Sequence, residues 1–357
     1  MIISTCSFGS TGSSVITDYL NEFDNLHVMD GAELTWISVP DGIIDLDYHL
    51  NNPHCRTADS IVAIERYKTL CKEKVRSFEK CGIPRSVFEK SLNEFLDAIV
   101  MASWKWKAQS LKKEPLWRKI ATKIILKTQY IYKWQLKNKR QWEGFPYRDV
   151  YFSVKPRNFN AAVKKHIKDI LYACGAKENE HLVFDQLFPG NNPQSCFKYF
   201  DDPYAVVVDR DPRDIYIFGK TVLLSRSIGH LMPLNDVKDF VVYYRSLRDN
   251  QPYKEKNDRI LRLRFEDLVY HYDSATKKLR DFLNLGENPN PKSIFDPSMS
   301  MANTQIWKRY PEFQKDIEYI ERELKEYLFD FEGCPEPDVN AKMFSGRSPK
   351  KYKMRIR

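Results

Sequence analysis

The first fourteen residues, MIISTCSFGSTGSS, constrain the fold of this chain more than any other stretch. The apolar run from Met1 to Cys6 predicts a buried strand, and the amphipathic run that begins at Val15 predicts a helix. This order of strand, loop of glycine and hydroxyl residues, and helix is typical of anion-binding sites. The backbone N–H groups of such a loop and the dipole of the helix both point towards the anion. The residues expected to bind such an anion are Gly9, Ser10, Thr11, Gly12, Ser13 and Ser14. The alternative is a plain glycine-serine turn.

The loop lacks the lysine of the P-loop that binds nucleoside triphosphates. That motif needs a Gly-Lys pair followed by Ser or Thr, whereas the first lysine of this chain is Lys68. The loop is therefore P-loop-like in its place between strand and helix, but its residues disfavour an ATPase or a kinase.

Apolar runs that alternate with helical patterns predict an α/β fold, with a parallel sheet flanked by helices. Further strands are expected at 26–29, 150–154, 182–184, 205–208 and 260–263. Apolar residues at three-to-four spacing predict a helical insertion after the second strand, at about 56–148. We expect one domain over 1–332, followed by a basic, flexible tail over 333–357.

The composition is typical of a globular protein that works inside the cell. Of the 357 residues, 42% are hydrophobic and 29% are charged, and no apolar stretch reaches the roughly 18–20 residues of a membrane span. The seven cysteines form no Cys-x-x-Cys pair, and no Cys/His spacing suggests a metal site. The absence of a signal-peptide pattern predicts a cytoplasmic location.

A second candidate anion site follows the valine run at 205–208, in the sequence DRDPRD. In an open α/β sheet, ligands bind beyond the carboxyl ends of the strands. Arg210 and Arg213 would lie there, and arginine suits bidentate phosphate recognition. The alternative is that Arg–Asp pairs hold the loop together. With the first loop, these arginines imply a ligand that carries two separated anionic groups.

Four blocks, in this order, carry a family resemblance: Ser10–Ser14, Val207–Asp214, Arg264–Leu268 and Asn303–Lys308. In this combination the chain resembles the sulfotransferases that use 3′-phosphoadenosine-5′-phosphosulfate (PAPS), in particular their bacterial, carbohydrate-modifying branch. The resemblance implies PAPS as donor, with no metal required. It implies that the first loop binds the 5′-phosphosulfate and Arg210 the 3′-phosphate. Phe265 would lie near the adenine, and the stretch around Trp307 would close over the donor.

Two positions depart from that family. Ser10 stands where the loop usually carries Lys or Arg, so the cation near the transferring group must come from elsewhere, and Lys155 is the candidate. Phe218 stands where many relatives have a serine that contacts the 3′-phosphate.

A carboxylate is expected to take the proton of the acceptor hydroxyl. The carbohydrate-modifying branch often uses a glutamate just past the second strand, and Glu33 fits that place. Asp185, at the end of another predicted strand, is the second choice.

The insertion is strongly basic and rich in tryptophan. Between 101 and 148, thirteen lysines and arginines stand against two acids, and residues 104–142 include five tryptophans. Such a face suits an acidic polymer, sugars or an anionic membrane surface; the alternative is a solvated hairpin with aromatic packing inside. No recognition fold suggests nucleic acid.

From these residues we expect a PAPS-dependent sulfotransferase that acts on a hydroxyl of a carbohydrate or glycolipid. The expected location is then a bacterial cytoplasm, with peripheral association at the inner membrane face as a further option. Two alternatives stay open: a nucleoside-triphosphate-dependent kinase of a small molecule or sugar, and a non-catalytic protein that binds anionic polymers.

Overall fold

A computed structural model describes residues 1–29, 32–55, 57–106, 115–177, 180–224, 231–249 and 257–343. Its strands are β1 (Ile2–Ser7), β2 (Leu26–Met29), β3 (Ala102–Trp106), β4 (Arg148–Phe152), β5 (His181–Asp185), β6 (Pro203–Asp209) and β7 (Ile260–Arg264). Its helices begin with α1 (Ser13–Leu20), α2 (Ile43–Asn51), α3 (Ala58–Lys80), α4 (Arg85–Ile99), α5 (Leu116–Lys127), α6 (Tyr130–Asn138) and α7 (Phe159–Leu171). They continue with α8 (Gln194–Phe197), α9 (Pro212–Phe218), α10 (Val237–Asp249), α11 (Phe265–Tyr270), α12 (Tyr272–Leu283), α13 (Pro297–Ser300) and α14 (Gln314–Glu323).

The contacts divide the chain into two compact units. The first comprises Met1–Thr35, Ser77–Ile83 and Tyr172–Arg357, and the second comprises Trp36–Arg76 and Pro84–Leu171. This division describes packing only, so the predicted bounds of one domain over 1–332 stay a prediction. Of the predicted tail, residues 344–357 lie outside the described chain. In its described part, the carbonyls of Asp338 and Ala341 accept hydrogen bonds from Arg309 at 3.0 and 2.9 Å.

A five-stranded parallel sheet forms the centre of the first unit, which confirms the predicted α/β fold class. Its strand order is β2-β5-β1-β6-β7. Because β1 lies between β5 and β6, the loops that follow these three strands meet at one edge of the sheet. The register sets Thr5 beside Asp185 and Ser7 beside Val208. The candidate site is built at this edge.

Helix α1 covers one face of this sheet, as its apolar pattern predicts. Val15, Ile16, Tyr19 and Leu20 are buried in a core with strand residues such as Val183 and with α11 and α12. Burying side chains of this size stabilises the fold by roughly 1.5–3 kcal/mol each. The helix that follows the first loop is therefore held rigidly against the sheet.

The second unit is mostly helical, but it also contains a small antiparallel sheet. Strands β3 and β4 pair antiparallel, with Trp104 opposite Val150. The predicted strand around Val150 is therefore confirmed as a strand, but the prediction that it joins the parallel sheet is wrong. Strand β3 also interrupts the insertion predicted as helical over 56–148. Its partner is more than forty residues away in sequence, a pairing that local periodicity does not reveal.

A buried polar cluster holds three helices of the second unit together. The Nε2 atom of His166 lies 2.9 Å from the hydroxyl of Tyr67, and its Nδ1 atom lies 2.9 Å from Oγ of Ser91. Burial lowers the pKa of His166 to about 3, so the ring is neutral at physiological pH. We interpret the cluster as a satisfied structural core.

No helix within the described segments combines the length and the apolar character needed to cross a membrane.

Candidate functional site: the cavity behind the first strand

The loop after β1 is wound by residues in the left-handed region. Gly9, Ser10 and Gly12 have φ angles of 87°, 59° and 93°. Glycine adopts such angles without steric cost, whereas Ser10 does so with strain of order 1 kcal/mol. Backbone turned in this way forms a concave row of N–H groups that suits an anion.

Helix α1 begins directly behind this loop without a side-chain cap. Gly12 occupies the capping position and offers no side chain that could bond the helix start. Among the described residues, the backbone N–H groups of Gly12, Ser13 and Ser14 donate no hydrogen bond. The first turn of a helix leaves such donors unsatisfied, and the helix dipole adds partial positive charge there. These groups are available to an anionic ligand.

Thr11 does not face the cavity, although it was predicted with the other loop residues. Its buried hydroxyl donates to the carbonyl of Val208 at 2.6 Å and accepts from the N–H of Phe8 at 3.3 Å. The side chain of Thr11 therefore connects the loop to the end of β6.

Gln186 holds the loop from the neighbouring strand end. Its Nε2 atom donates to Oγ of Ser7 at 2.6 Å and to Oγ of Ser13 at 2.9 Å. Its Oε1 atom accepts the backbone N–H of Ser7 at 3.2 Å. The residue itself has a φ angle of 56°, which an ordinary side chain adopts only under strain. One amide thus clamps both ends of the loop.

Asp185, the residue before this clamp, is also bonded to the loop region. Its Oδ1 atom accepts hydrogen bonds from Thr5 at 3.0 Å and from Ser13 at 3.3 Å. Its backbone carbonyl accepts the N–H of Leu34 at 3.4 Å. Asp185 lines the cavity and at the same time helps to position the start of α1.

Arg210 reaches the same cavity from β6. Its side chain is buried, and its Nη1 atom donates to the carbonyl of Ser10 at 3.4 Å. Its Nη2 atom donates to the carbonyl of Asn303. Its Nε atom is buried and has no acceptor in the described parts of the chain. Among the described residues the guanidinium thus bonds backbone carbonyls, and a buried cation held in this way favours binding of an anion.

Phe265 packs between the loop and this arginine. The Arg210 guanidinium lies 5.0 Å from the centre of its ring. A Cβ atom added to Gly12 would lie 2.7 Å from the ring. Phe265 also lines the cavity, which is compatible with the predicted place near a base, but its direct contacts are with the loop and Arg210.

Arg213 and Trp307 lie away from the cavity and contact each other. The Arg213 guanidinium lies 4.0 Å from the centre of the Trp307 ring. It is paired with Asp211 at 2.8 Å and with Glu321 at 2.8 Å. Neither residue is among those that line the cavity in the described chain. The geometry therefore favours the structural alternative for Arg213.

Asp214 connects α9 to the stretch that includes Asn303. Its carboxylate oxygens accept the N–H groups of Gln305 at 3.0 Å and Ile306 at 2.7 Å. Burial raises the pKa of Asp214, and the nearby Arg210 opposes that rise. The anchored turn brings the Asn303 carbonyl against Arg210.

Glu33 lines the cavity as an exposed side chain. Among the described residues it has no hydrogen bond or ion pair. Its carboxylate is therefore available to a substrate, in contrast to Asp185.

Lys155 belongs to the second unit, whereas the described residues that line the cavity all belong to the first. It follows β4 with a φ angle of 45°, and its N–H donates to the carbonyl of Leu50 at 2.9 Å. Its predicted role near the transferring group stays a prediction.

The cavity has a volume of about 630 Å³ and joins the two predicted anion sites. Arg210 is the only cation among its described lining residues, and Glu33 and Asp185 are the only carboxylates. Phe218, Met232 and Tyr243 form an apolar part of the wall. The described residues contain no group of three or more acidic, histidine or cysteine side chains placed to hold a metal ion.

Sequence reasoning missed two supports of this site. Gln186 was not predicted as a site residue, although its position at a strand end was the available signal. Arg248 was not identified: it pairs with Asp209 at 2.5 Å, and its guanidinium lies 4.3 Å from the ring of Phe8. Arg248 thereby connects the loop, through Phe8, to the end of β6, through Asp209.

No protein-family model matches the chain, and no curated protein matches it. Among solved structures, it is similar to the sulfotransferase domain of the curacin biosynthetic pathway, with 13% identity, a TM-score of 0.35 and coverage of 81% of this chain and 75% of that one. It is similar to the sulfotransferase domain of the Synechococcus olefin synthase, with 12% identity, a TM-score of 0.37 and coverage of 86% of both chains. A Mycobacterium tuberculosis sulfotransferase has 10% identity, a TM-score of 0.31 and coverage of 81% and 68%.

Proposed function

We propose that the cavity binds a nucleotide with two separated anionic groups, of the PAPS type, and that the chain transfers its sulfuryl group to a hydroxyl. The observation that carries the proposal is the buried Arg210 guanidinium, whose Nε atom lacks an acceptor among the described residues. It lies on the same cavity as the unbonded N–H groups of the first loop.

The residues present fit such a donor at both ends. Gly12 to Ser14 offer neutral backbone donors and a helix start, which suit a phosphate that carries a second oxyanion. The guanidinium of Arg210 offers several N–H donors in one plane, which suits a terminal phosphate. The apolar wall with Phe218 and Phe265 suits a base between them. The missing P-loop lysine supports this donor over a nucleoside triphosphate.

The donor supplies an activated sulfuryl group, and the chain's own residues bind, orient and take up a proton. The loop N–H groups stabilise the negative charge that grows on the departing phosphate as its oxygen–sulfur bond breaks. Glu33 accepts the acceptor's hydroxyl proton as the new oxygen–sulfur bond forms. We favour Glu33 over Asp185 because Asp185 is already bonded to Thr5 and Ser13.

The proposed acceptor is a hydroxyl of a carbohydrate or glycolipid. This part rests on the resemblance of the Glu33 position to the base of carbohydrate-modifying sulfotransferases. The exposure of Glu33 at the cavity supports it, because an open carboxylate can meet a large acceptor.

Isothermal titration calorimetry tests the proposal with four ligands: adenosine 3′,5′-bisphosphate, adenosine 5′-monophosphate, PAPS and Mg-ATP. We expect the bisphosphate to bind at least about tenfold more tightly than the monophosphate, since a second charge-assisted contact is worth roughly 1.5–3 kcal/mol. A preference for Mg-ATP would instead support a kinase. No binding of any of the four would support a non-catalytic protein.

A further inference from the structure

The helix pair α5–α6 in the second unit exposes an unusual number of large apolar side chains. Helix α5 has no buried residue and packs against α6. We call the following residues the docking face, with their exposed fractions: Leu116 73%, Trp117 64%, Ile120 49%, Ile124 57%, Tyr130 60%, Tyr132 61% and Leu136 62%. Apolar side chains scattered singly over a surface are ordinary, but a group of this size marks an interaction site.

On α5 four of the exposed apolar residues share one side of the helix, whereas Leu126, which is 40% exposed, lies outside it. Leu116, Trp117, Ile120 and Ile124 fall within an arc of about 100° at 3.6 residues per turn. The half-buried residues of the same helix, among them Ala121 and Ile125, follow on the next part of the circumference. The helix therefore packs through a neighbouring side and leaves its most apolar side in solvent.

The charge around the docking face has one sign. Between 116 and 142 the chain has eight lysines and arginines and no aspartate or glutamate. On α5, Lys119 and Lys123 lie beside the Leu116 side of the apolar arc, Lys127 lies within the arc near the end of the helix, and all three are exposed. An apolar stripe bordered by cations and aromatic residues is the pattern of a helix that lies in the interface of an anionic bilayer.

The tryptophans of this region divide into two groups. Trp134 and Trp142 pack against each other with ring centres 5.2 Å apart, and Nε1 of Trp142 donates to the carbonyl of Phe145 at 3.0 Å. Trp117 is mostly exposed, and within the described segments no ring packs against it. Tyr130 of the docking face also packs against Trp142, with ring centres 5.8 Å apart. Aromatic packing inside the hairpin thus accounts for part of the region, but it does not account for the exposed apolar residues of α5.

We propose that the docking face binds the surface of an anionic lipid bilayer, with Leu116, Trp117, Ile120 and Ile124 inserted at the boundary of headgroups and acyl chains. The charges are complementary to anionic headgroups, and each cation near such a surface strengthens binding. The aliphatic side chains favour a bilayer over an acidic polymer, because a polymer of sulfates or carboxylates cannot bury isoleucine and leucine. This interaction is independent of donor binding.

Co-sedimentation of the full chain with extruded vesicles tests the proposal. One set contains phosphatidylcholine alone and the other contains phosphatidylcholine with about one third phosphatidylglycerol. We expect binding to the anionic set that exceeds binding to the neutral set by at least about tenfold. A brominated lipid should quench tryptophan fluorescence in the wild type, and most of that quenching should disappear in Trp117→Phe.

Two variants with matched controls separate the apolar and electrostatic contributions. Ile124→Asp is expected to reduce the vesicle partition coefficient on the order of tenfold, whereas Val242→Asp, at an exposed valine 63% accessible on α10, should leave it unchanged. Lys123→Glu should reduce it at least about fivefold, whereas Lys90→Glu on α4 should not. All four positions are exposed, and circular dichroism checks the fold.

Three outcomes would overturn the proposal. The first is equal binding to both vesicle sets, or none. The second is full vesicle binding by Ile124→Asp, which would leave only a diffuse charge effect. The third is binding of dextran sulfate without binding of anionic vesicles, which would assign the face to an acidic polymer. None of these outcomes depends on whether the cavity binds PAPS, so the two proposals fail separately.

Discussion

The Arg210 guanidinium lies 3.4 Å from the backbone carbonyl of Ser10, although 200 residues separate the two along the chain. The contact exists because β1 and β6 are neighbours in the parallel sheet and end at the same edge. It brings the cation of one predicted anion site against the loop of the other. A single ligand with two anionic groups can therefore contact both.

Arg210→Ala is expected to weaken binding of adenosine 3′,5′-bisphosphate by about a hundredfold, because a buried charge-assisted contact is lost. Binding of adenosine 5′-monophosphate should change much less, since the loop still holds the other end. Calorimetry measures both, with Arg259→Ala as the control at an arginine on the far end of the sheet that pairs with Asp202. Equal losses for the two ligands would mean that Arg210 only supports the loop.

Gly12→Ala is expected to damage the loop more than Gly9→Ala does. Both positions have φ angles near 90°, so both variants carry the same backbone strain. A Cβ atom at Gly12 also meets Phe265 at 2.7 Å, whereas nothing lies within 4 Å at Gly9. Thermal unfolding should show an additional loss of about 1–3 kcal/mol at Gly12. Gly12→Ala combined with Phe265→Leu should recover part of that loss; no recovery would exclude the clash as the cause.

Gln186→Asn tests the clamp on the loop. Asparagine tolerates a positive φ angle, so this variant shortens the side chain without adding strain. Loss of the bonds to Ser7 and Ser13 should cost about 1–3 kcal/mol of unfolding free energy, because buried partners stay unsatisfied. A positioning role further predicts a higher KM for the donor with an unchanged KM for the acceptor. A fall in stability with no change in donor KM would restrict Gln186 to a structural role.

Glu33→Gln is expected to keep donor binding and to lower turnover by about two to four orders of magnitude, the usual contribution of a general base. Asp185→Asn should instead weaken donor binding as well, because Asp185 accepts hydrogen bonds from Thr5 and Ser13. Sulfate transfer from labelled PAPS, together with calorimetry, distinguishes the two effects. Full activity of Glu33→Gln would assign the proton to Asp185.

Glu266→Gln is expected to change how stability depends on pH. Burial raises the pKa of Glu266 from 4.5 to about 7, against the opposing charge of Arg264 and with the like charge of Asp211. The folded state therefore binds more protons than the unfolded state between about pH 4.5 and 7, so stability falls as pH rises through that window. Above it, the neutral glutamine avoids the cost of an ionised buried carboxylate, which is on the order of 3 kcal/mol.

The matched experiment is urea unfolding of wild type and Glu266→Gln at about pH 5 and pH 8. The amide oxygen of glutamine can still accept the N–H of Asp211, which lies 2.7 Å from Oε1 of Glu266. The variant should therefore gain stability over the wild type at the higher pH and gain little at the lower one. A constant difference at both pH values would contradict the raised pKa.

The sequence alone was sufficient for features that depend on neighbouring residues. The apolar run of β1, the glycines of the loop and the periodicity of α1 lie within twenty residues, and they predicted the strand, the turn and the helix in order. The Asp-Arg-Asp-Pro pattern is likewise local, and α9 begins at its proline just after β6, because proline suits the first turn of a helix.

Only the tertiary structure decided which residues share the cavity. Arg210 and Arg213 stand three residues apart after the same strand, yet one faces the loop and the other pairs with Glu321 far along the chain. The clamp by Gln186 and the pairing of β4 with β3 also depend on contacts between distant segments. Such contacts arise when whole helices and strands pack together. A periodic pattern predicts which face of an element is apolar, but it does not predict which other element packs against that face.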